Sequence, residues 1–274
     1  MVVSDARERD AESKPRASQT LAQVVWHDLE CGGYRVDLPV WRELARRCGG
    51  PILDVGAGTG RVTLTLARDG HSVTAVDREQ ALLDALRARA GGLAVETLCA
   101  DARTLSLARR DYALCLMPMQ TVQLLGGGDR RVAFLRAARA HVRAGALVAC
   151  AILGEVEPFD CSRSEVGPTP ERTILDGLLY ASRALRVAES RAHVVIERER
   201  RITRVASAAS SASRASGSAN DVELSCERDT IELDRLDASA IELEARAVGL
   251  TPQSRVQIAA TDEHVGSVVV MLRA

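Results

Sequence analysis

Three glycines at alternate positions, Gly56, Gly58 and Gly60, stand between a short apolar run and a helical one, and Asp77 follows 21 residues after the first of them. A residue without Cβ lets the backbone take positive φ and come close to a ligand, and the open N-terminus of a following helix offers unpaired N–H groups. A carboxylate at the tip of the next strand is placed to accept hydrogen bonds from two ribose hydroxyls. The chemistry these residues share is the holding of a nucleoside.

The neighbouring pattern supplies the elements that must position them. Ile52 to Val55 reads as a strand buried on both faces. Val62, Leu64, Leu66 and Ala67 suit a short packed helix over 61–67 that Gly70 ends, and Ser72 to Val76 reads as a second buried strand ending on Asp77. Together they make one βαβ unit. A dinucleotide site calls for G-x-G-x-x-G, whereas Gly56-Ala57-Gly58-Thr59-Gly60 is G-x-G-x-G preceded by Leu53-Asp54-Val55.

This stretch resembles the first motif of class I S-adenosylmethionine-dependent methyltransferases of the small-molecule type, and Val73 to Asp77 resembles the acidic strand end that follows it. The resemblance covers residues 22–152 well and the C-terminal part more loosely. It implies an α/β fold, a Rossmann-like doubly wound seven-stranded sheet, with S-adenosyl-L-methionine as cofactor; the scattered cysteines give no reason to expect a metal. Carried over by position, Asp54, Gly56, Ala57, Gly58, Gly60, Asp77 and Arg78 would bind the cofactor. A third strand over 93–99 leads to Ala100-Asp101-Ala102, where an acidic residue of the family meets the adenine amino group; the competing reading of Asp101 is a turn-forming or capping aspartate. A fourth strand, Tyr112 to Met117, ends at the switch point of the sheet, so Met117 would face the cofactor and Gln120 and Gln123 the acceptor. Many relatives carry a small polar residue or histidine where Gln123 stands. The stretch also lacks the Asn/Asp-Pro-Pro-aromatic signature of enzymes that methylate nucleobase amines.

Trp26, Tyr34 and Trp41 bring three of the chain's aromatic residues into one segment before the first strand. In related enzymes this segment folds over the cofactor, so Trp26, His27 and Tyr34 are pocket candidates by position, while Trp41 with Leu44 and Ala45 reads as helix packing. Residues 1–20 are polar and charged and are expected to form a disordered tail.

Composition bounds the rest. The 274 residues are 46% hydrophobic and carry a formal net charge of -1, which argues against a nucleic-acid groove although Lys14 is the only lysine among 36 basic residues. Seven scattered cysteines lack a C-x-x-C pair, and Cys99, Cys115 and Cys150 fall in or at the end of strands expected to be buried. The N-terminus lacks a signal-peptide core and no apolar run approaches membrane-spanning length, so a cytoplasmic protein with a small-molecule partner and no membrane is expected; a homodimer is left open.

Past a helix over 130–142, an Arg143-Ala144-Gly145 turn and a fifth strand over 146–153, the βα alternation stops. Residues 155–236 read as an inserted antiparallel β lid with a flexible loop at 207–220, and 237–274 as a returning helix and a last strand pair at 253–259 and 266–272. His141 reads as structural. Because the last strand of this fold runs antiparallel to the others, the turn Thr261-Asp262-Glu263-His264 should lie at the carboxyl edge of the sheet, making His264 the candidate catalytic base. The function expected is methyl transfer to N or O of a small molecule. Its rivals are a non-catalytic or regulatory protein that binds the same cofactor, and a nicotinamide-dependent oxidoreductase, which the glycine spacing disfavours.

Overall fold

The computed structural model describes residues 6–164, 166–205, 221–261 and 264–274, with side chains from Gln19 onward. It divides into two units, one made of residues up to Gly154 together with Leu236–Ala274, the other of Glu155–Arg235.

In the first unit, helices α1 (Ala6–Cys31) and α2 (Leu38–Cys48) precede β1 (Ile52–Val55), α3 (Arg61–Arg68), β2 (Val73–Asp77), α4 (Gln80–Ala90), β3 (Val95–Cys99), β4 (Tyr112–Met117), α5 (Gly128–His141) and β5 (Val142–Leu153). Strands β1 to β5 are parallel in the order β3-β2-β1-β4-β5. Alternation along the strands divides the core between two faces. Leu53, Val55, Cys115, Met117 and Val148 lie with α5 on one face, and Ile52, Leu114, Leu116 and Ala149 with α2 and α3 on the other.

The second unit begins with the short strands β6 (Phe159–Asp160) and β7 (Glu171–Leu175) and is dominated by β8 (Leu178–Glu189), β9 (His193–Arg204) and β10 (Val222–Asp234). All its pairings are antiparallel, in the order β10-β9-β8, with β6 and β7 both on β8. Its faces carry cross-strand ion pairs, among them Arg186–Glu197 at 2.9 Å and Arg200–Asp229 at 3.1 Å. The chain then returns to the first unit as α6 (Ala238–Arg246), β11 (Thr251–Pro252), β12 (Val256–Ile258) and β13 (Ser267–Arg273). β13 runs antiparallel to β5, pairing Ser267 with Leu153 and Arg273 with Leu147, which puts its start at the carboxyl edge of the parallel strands.

Four expectations change. From Ala6 on, the segment expected as a disordered tail is the first part of α1. Ala, Arg, Glu and Lys are strong helix formers, so a segment too polar to build a core can still be helical. The turn expected at 143–145 is absorbed into β5, which starts at Val142 and takes up the extra residues as a register irregularity opposite Tyr112/Leu114. The main sheet has eight strands rather than seven, because β11 and β12 are two interrupted pieces along one edge of β13. Cys99 is exposed, unlike Cys115 and Cys150, because β3 is the edge strand. The loop at 207–220 lies outside the described residues.

Candidate functional site

The loop between β1 and α3 has Gly56, Gly58 and Gly60 at φ of 76°, 54° and 95°. The surrounding side chains also require them to lack Cβ: one on Gly56 would lie 2.4 Å from Thr121 Cγ2, and one on Gly58 would lie 2.2 Å from His27 Nε2. The glycines thus admit a helix from each neighbouring segment, the short 3-10 turn Thr121–Leu125 on one side and α1 on the other.

Asp77, at the end of β2, clamps this loop. Its Oδ2 accepts from Gly58 N at 2.8 Å and its Oδ1 from Glu79 N at 3.0 Å. Each carboxylate oxygen retains a further acceptor site for a hydroxyl group. Beneath the loop, Asp54 is 1% exposed; its Oδ2 accepts from Thr63 Oγ1 at 2.6 Å. Its Oδ1 is the one buried side-chain oxygen without a hydrogen-bond partner among the described residues. Burial pushes this carboxyl up to about 6, against the pull of the Thr63 hydroxyl. A buried, unmatched acceptor under a glycine cradle fits a ligand that brings a cation or donor to this point.

The N-terminal segment is held against the loop by polar contacts. Thr59 Oγ1 donates to Asp28 Oδ1 at 2.7 Å and lies 3.2 Å from His27 Nδ1, while Arg89 of α4 grips the same Asp28 carboxylate. Burial pushes the His27 imidazole below its ordinary value, so the ring lies over Gly58 as a neutral group at pH 7. Arg61, the first residue of α3, donates to Tyr34 O at 2.7 Å and to Asp37 Oδ2 at 2.8 Å, and Trp41 Nε1 donates to that same oxygen at 2.7 Å. The Arg61 guanidinium sits 5.2 Å from the centre of the Tyr34 ring. Tyr34 OH lies 3.3 Å from Ser267 Oγ at the start of β13, and the His264 ring meets the Tyr34 ring edge-on at 5.1 Å. Tyr34 and His264, far apart in the chain, are therefore neighbours at the carboxyl edge; Asp262 and Glu263 lie outside the described residues.

The remaining candidates separate by surroundings. Asp101 follows β3, whose end adjoins Asp77 through Ala100 N donating to Asp77 O at 2.9 Å. Its carboxylate caps the turn Ala102–Thr104 through Arg103 N at 2.8 Å and takes the Arg103 guanidinium, which together hold it down to about 2. Ala102 is half-buried behind it, and Arg78 is exposed, 3.2 Å from Glu79. The Met117 side chain is fully buried in the core, so only its backbone is left for the pocket, and Ala57 is also buried. Met119, two residues on, has the left-handed φ of 54°. Gln120 is half-buried at the start of the 3-10 turn. Gln123 is buried, and its Oε1 accepts from Leu153 N at 2.7 Å, tying that turn to the end of β5. Trp26 is buried on α1, and Trp41 lies wholly in the core. His141 accepts from Leu107 N through Nε2 at 2.8 Å with Nδ1 2.7 Å from Ala137 O, a structural tether.

Sequence reasoning missed Thr63, Asp28 and the Arg61–Asp37 pair. One signal existed: an arginine in the first turn of a helix opposes the helix dipole, so Arg61 needed a carboxylate from elsewhere.

Residues 52–145 match the family model of a methyltransferase domain. No curated protein sequence matches the chain. Among solved structures, CalS10, an amino pentose methyltransferase from Micromonospora echinaspora involved in calicheamicin biosynthesis, is similar at 20% identity and a TM-score of 0.65, over 92% of this chain and 97% of its own. An S-adenosylmethionine-dependent methyltransferase from Clostridium acetobutylicum is similar at 14% identity and 0.63, over 94% and 98%. The glycopeptide N-methyltransferase MtfA, complexed with S-adenosyl-L-homocysteine, is similar at 19% identity and 0.57, over 86% of each chain. These likenesses establish the fold. Among the described residues no group of His, Cys, Asp and Glu could hold a metal, and no helix is long and apolar enough to cross a membrane.

Proposed function

We propose that the protein is an S-adenosylmethionine-dependent methyltransferase that methylates a nitrogen or oxygen of a small molecule. The observation that carries this reading is the unpartnered Asp54 Oδ1 buried beneath the glycine loop, with Asp77 at the loop's other side. One carboxylate suits a positively charged group, and the other suits a pair of vicinal hydroxyls. The cofactor brings both, together with a sulfonium-activated methyl group.

The chain's own residues have a limited task, because the methyl group is already activated. They must align donor and acceptor in a dry site, and good alignment supplies roughly 7 to 11 kcal/mol. His27 and Thr59 close the glycine side of that site, and Tyr34, fixed by Arg61 and Ser267, walls the other. His264 beside Tyr34 is the group proposed to take the proton from the acceptor, with Gln120 nearby in the β4 loop as an acceptor contact. The sugar and glycopeptide methyltransferases among the similar structures support an acceptor of amino-sugar or glycoside type.

Incubation with S-adenosylmethionine and amino-sugar or glycoside acceptors is expected to yield S-adenosylhomocysteine and a product 14 mass units heavier, roughly one methyl for one hydrogen. His264→Ala is expected to lower turnover at least about a hundredfold, within the usual range for losing an acid–base group, while calorimetric cofactor affinity holds. A loss of less than about threefold would make the histidine a packing partner of Tyr34 and leave proton removal to water.

A further inference from the structure

The opposite edge of the main sheet carries a cavity. It opens at the amino ends of the parallel strands, has a volume of about 360 Å³, and is lined by Arg47, Cys48, Arg143, Gln253, Ser254 and Arg273 among others. Arg47 and Cys48 end α2, Arg143 stands near the start of β5, and Arg273 ends the antiparallel β13. The glycine loop sits at the other end of β1, so this cavity is separate from the site described above.

The charge here is unbalanced. Several arginines of the same unit meet carboxylates: Arg42 meets Asp69 at 2.7 Å, Arg46 meets Glu43 at 2.9 Å, and Arg255 meets Glu242 at 2.7 Å. Two of the cavity's three arginines, Arg143 and Arg273, bond instead to neutral groups, while Arg47 lies near the Glu43 carboxylate without a hydrogen bond to it. Arg143 Nη2 donates to Cys48 O at 3.3 Å, while Arg273 donates to Gly145 O at 2.9 Å and Gln253 Oε1 at 3.4 Å. These bonds orient two guanidiniums and neutralise neither. All three line the same concavity as Cys48; burial pushes its thiol above the ordinary value, while Arg47, Arg273 and Arg143 pull it back. Guanidiniums turned toward one concavity attract an anion, and their forked donors match phosphate oxygens in pairs. The cavity falls in the size range of sites for small molecules.

We propose that this cavity binds a small phosphate-bearing molecule, whose phosphate oxygens are shared by Arg47, Arg143 and Arg273 and whose remainder rests against Gln253 and Ser254. The site is independent of the methyl-transfer reading and stands or falls without it.

Pyrophosphate is a suitable probe. Calorimetric titration of the full chain is expected to show saturable binding that weakens at least about tenfold in Arg143→Gln and in Arg273→Gln, the scale of a lost charge-assisted hydrogen bond. Arg42→Gln, on the same helix as Arg47 but paired with Asp69, is expected to bind as the unaltered protein does. Circular dichroism establishes that each variant is folded. Peptide mapping after brief thiol labelling gives a second readout: pyrophosphate is expected to slow labelling of Cys48 and leave the exposed Cys99 and Cys226 unaffected. The proposal is overturned if affinity changes less than twofold in both cavity variants, or if labelling slows equally at all three cysteines. Succinate as a dicarboxylate control is expected to bind more weakly, and equal binding would overturn the phosphate assignment.

Discussion

The two units of the protein use the same ion pair, arginine with a carboxylate, in opposite settings. In the first unit, Arg61 and Asp37 are 10% and 1% exposed in their side chains, with the remaining valences of Asp37 taken by Trp41. In the second, Arg186 and Glu197 are 43% and 22% exposed and form one rung of a ladder of such pairs. Strands β1 and β4 are buried along their whole length, whereas β9 and β10 are mostly half-buried or exposed. A buried pair is costly to break because the partner left behind keeps its charge without water; an exposed pair simply returns to solvent. The first unit thus keeps a buried ion pair beside the glycine loop, whereas the second lays partly exposed pairs along its sheet.

The largest effect follows from breaking the buried pair. Arg61→Ala is expected to destabilise the protein by about 3 to 5 kcal/mol in urea unfolding, since it strands Asp37. A loss below about 1 kcal/mol would erase the distinction between the units.

Asp54 sharpens the contrast, because it is a buried charge with no cationic partner in contact. Its folded value of about 6 lies above the 3.8 of a free carboxyl. The folded protein then binds more protons than the unfolded one between these values, so stability falls as pH rises through about 4 to 6. The full cost at pH 7.5 is about 3 kcal/mol. Asp54→Asn is expected to exceed the unaltered protein in stability by up to about that amount at pH 7.5, with the gap closing as pH falls through 6 toward 4. A gap that does not change with pH would mean that Asp54 does not titrate in this range. The same variant is expected to lose cofactor affinity, which identifies the strain as functional.

On the proposed ribose contact, Asp77→Ala removes a charged acceptor from two hydroxyls, worth about 1.5 to 3 kcal/mol, and is expected to weaken S-adenosylmethionine binding at least tenfold by calorimetry. Affinity within twofold would refute the ribose assignment. At the small end, Arg186→Ala in the second unit is expected to cost no more than about 1 kcal/mol.

The βαβ unit was legible in the chain because its signals are local. Alternation of buried strand residues, glycines where the backbone turns left-handed, and an acidic residue at a strand tip need only short-range sterics and hydrogen bonding to be read. The antiparallel character of β13, and with it the placement of His264 at the carboxyl edge, was legible from the resemblance to the methyltransferase family. The helical start of α1 was not, since polarity speaks to burial while helix formation also depends on backbone propensity.

Only tertiary structure decided which polar groups meet. Gly58 reads as a ligand-approach glycine in the chain, yet the atom nearest to its missing Cβ belongs to His27, 31 residues earlier. Gln123 reads as an acceptor contact, and the fold turns its amide to the backbone of Leu153. Asp54, Arg61 and the three arginines of the far cavity acquire their character from burial and from partners brought in by other segments. Sequence spacing carries the period of an element, which is enough to say what is buried; the energy of a charge depends on distances and dielectric that exist only once the elements are packed.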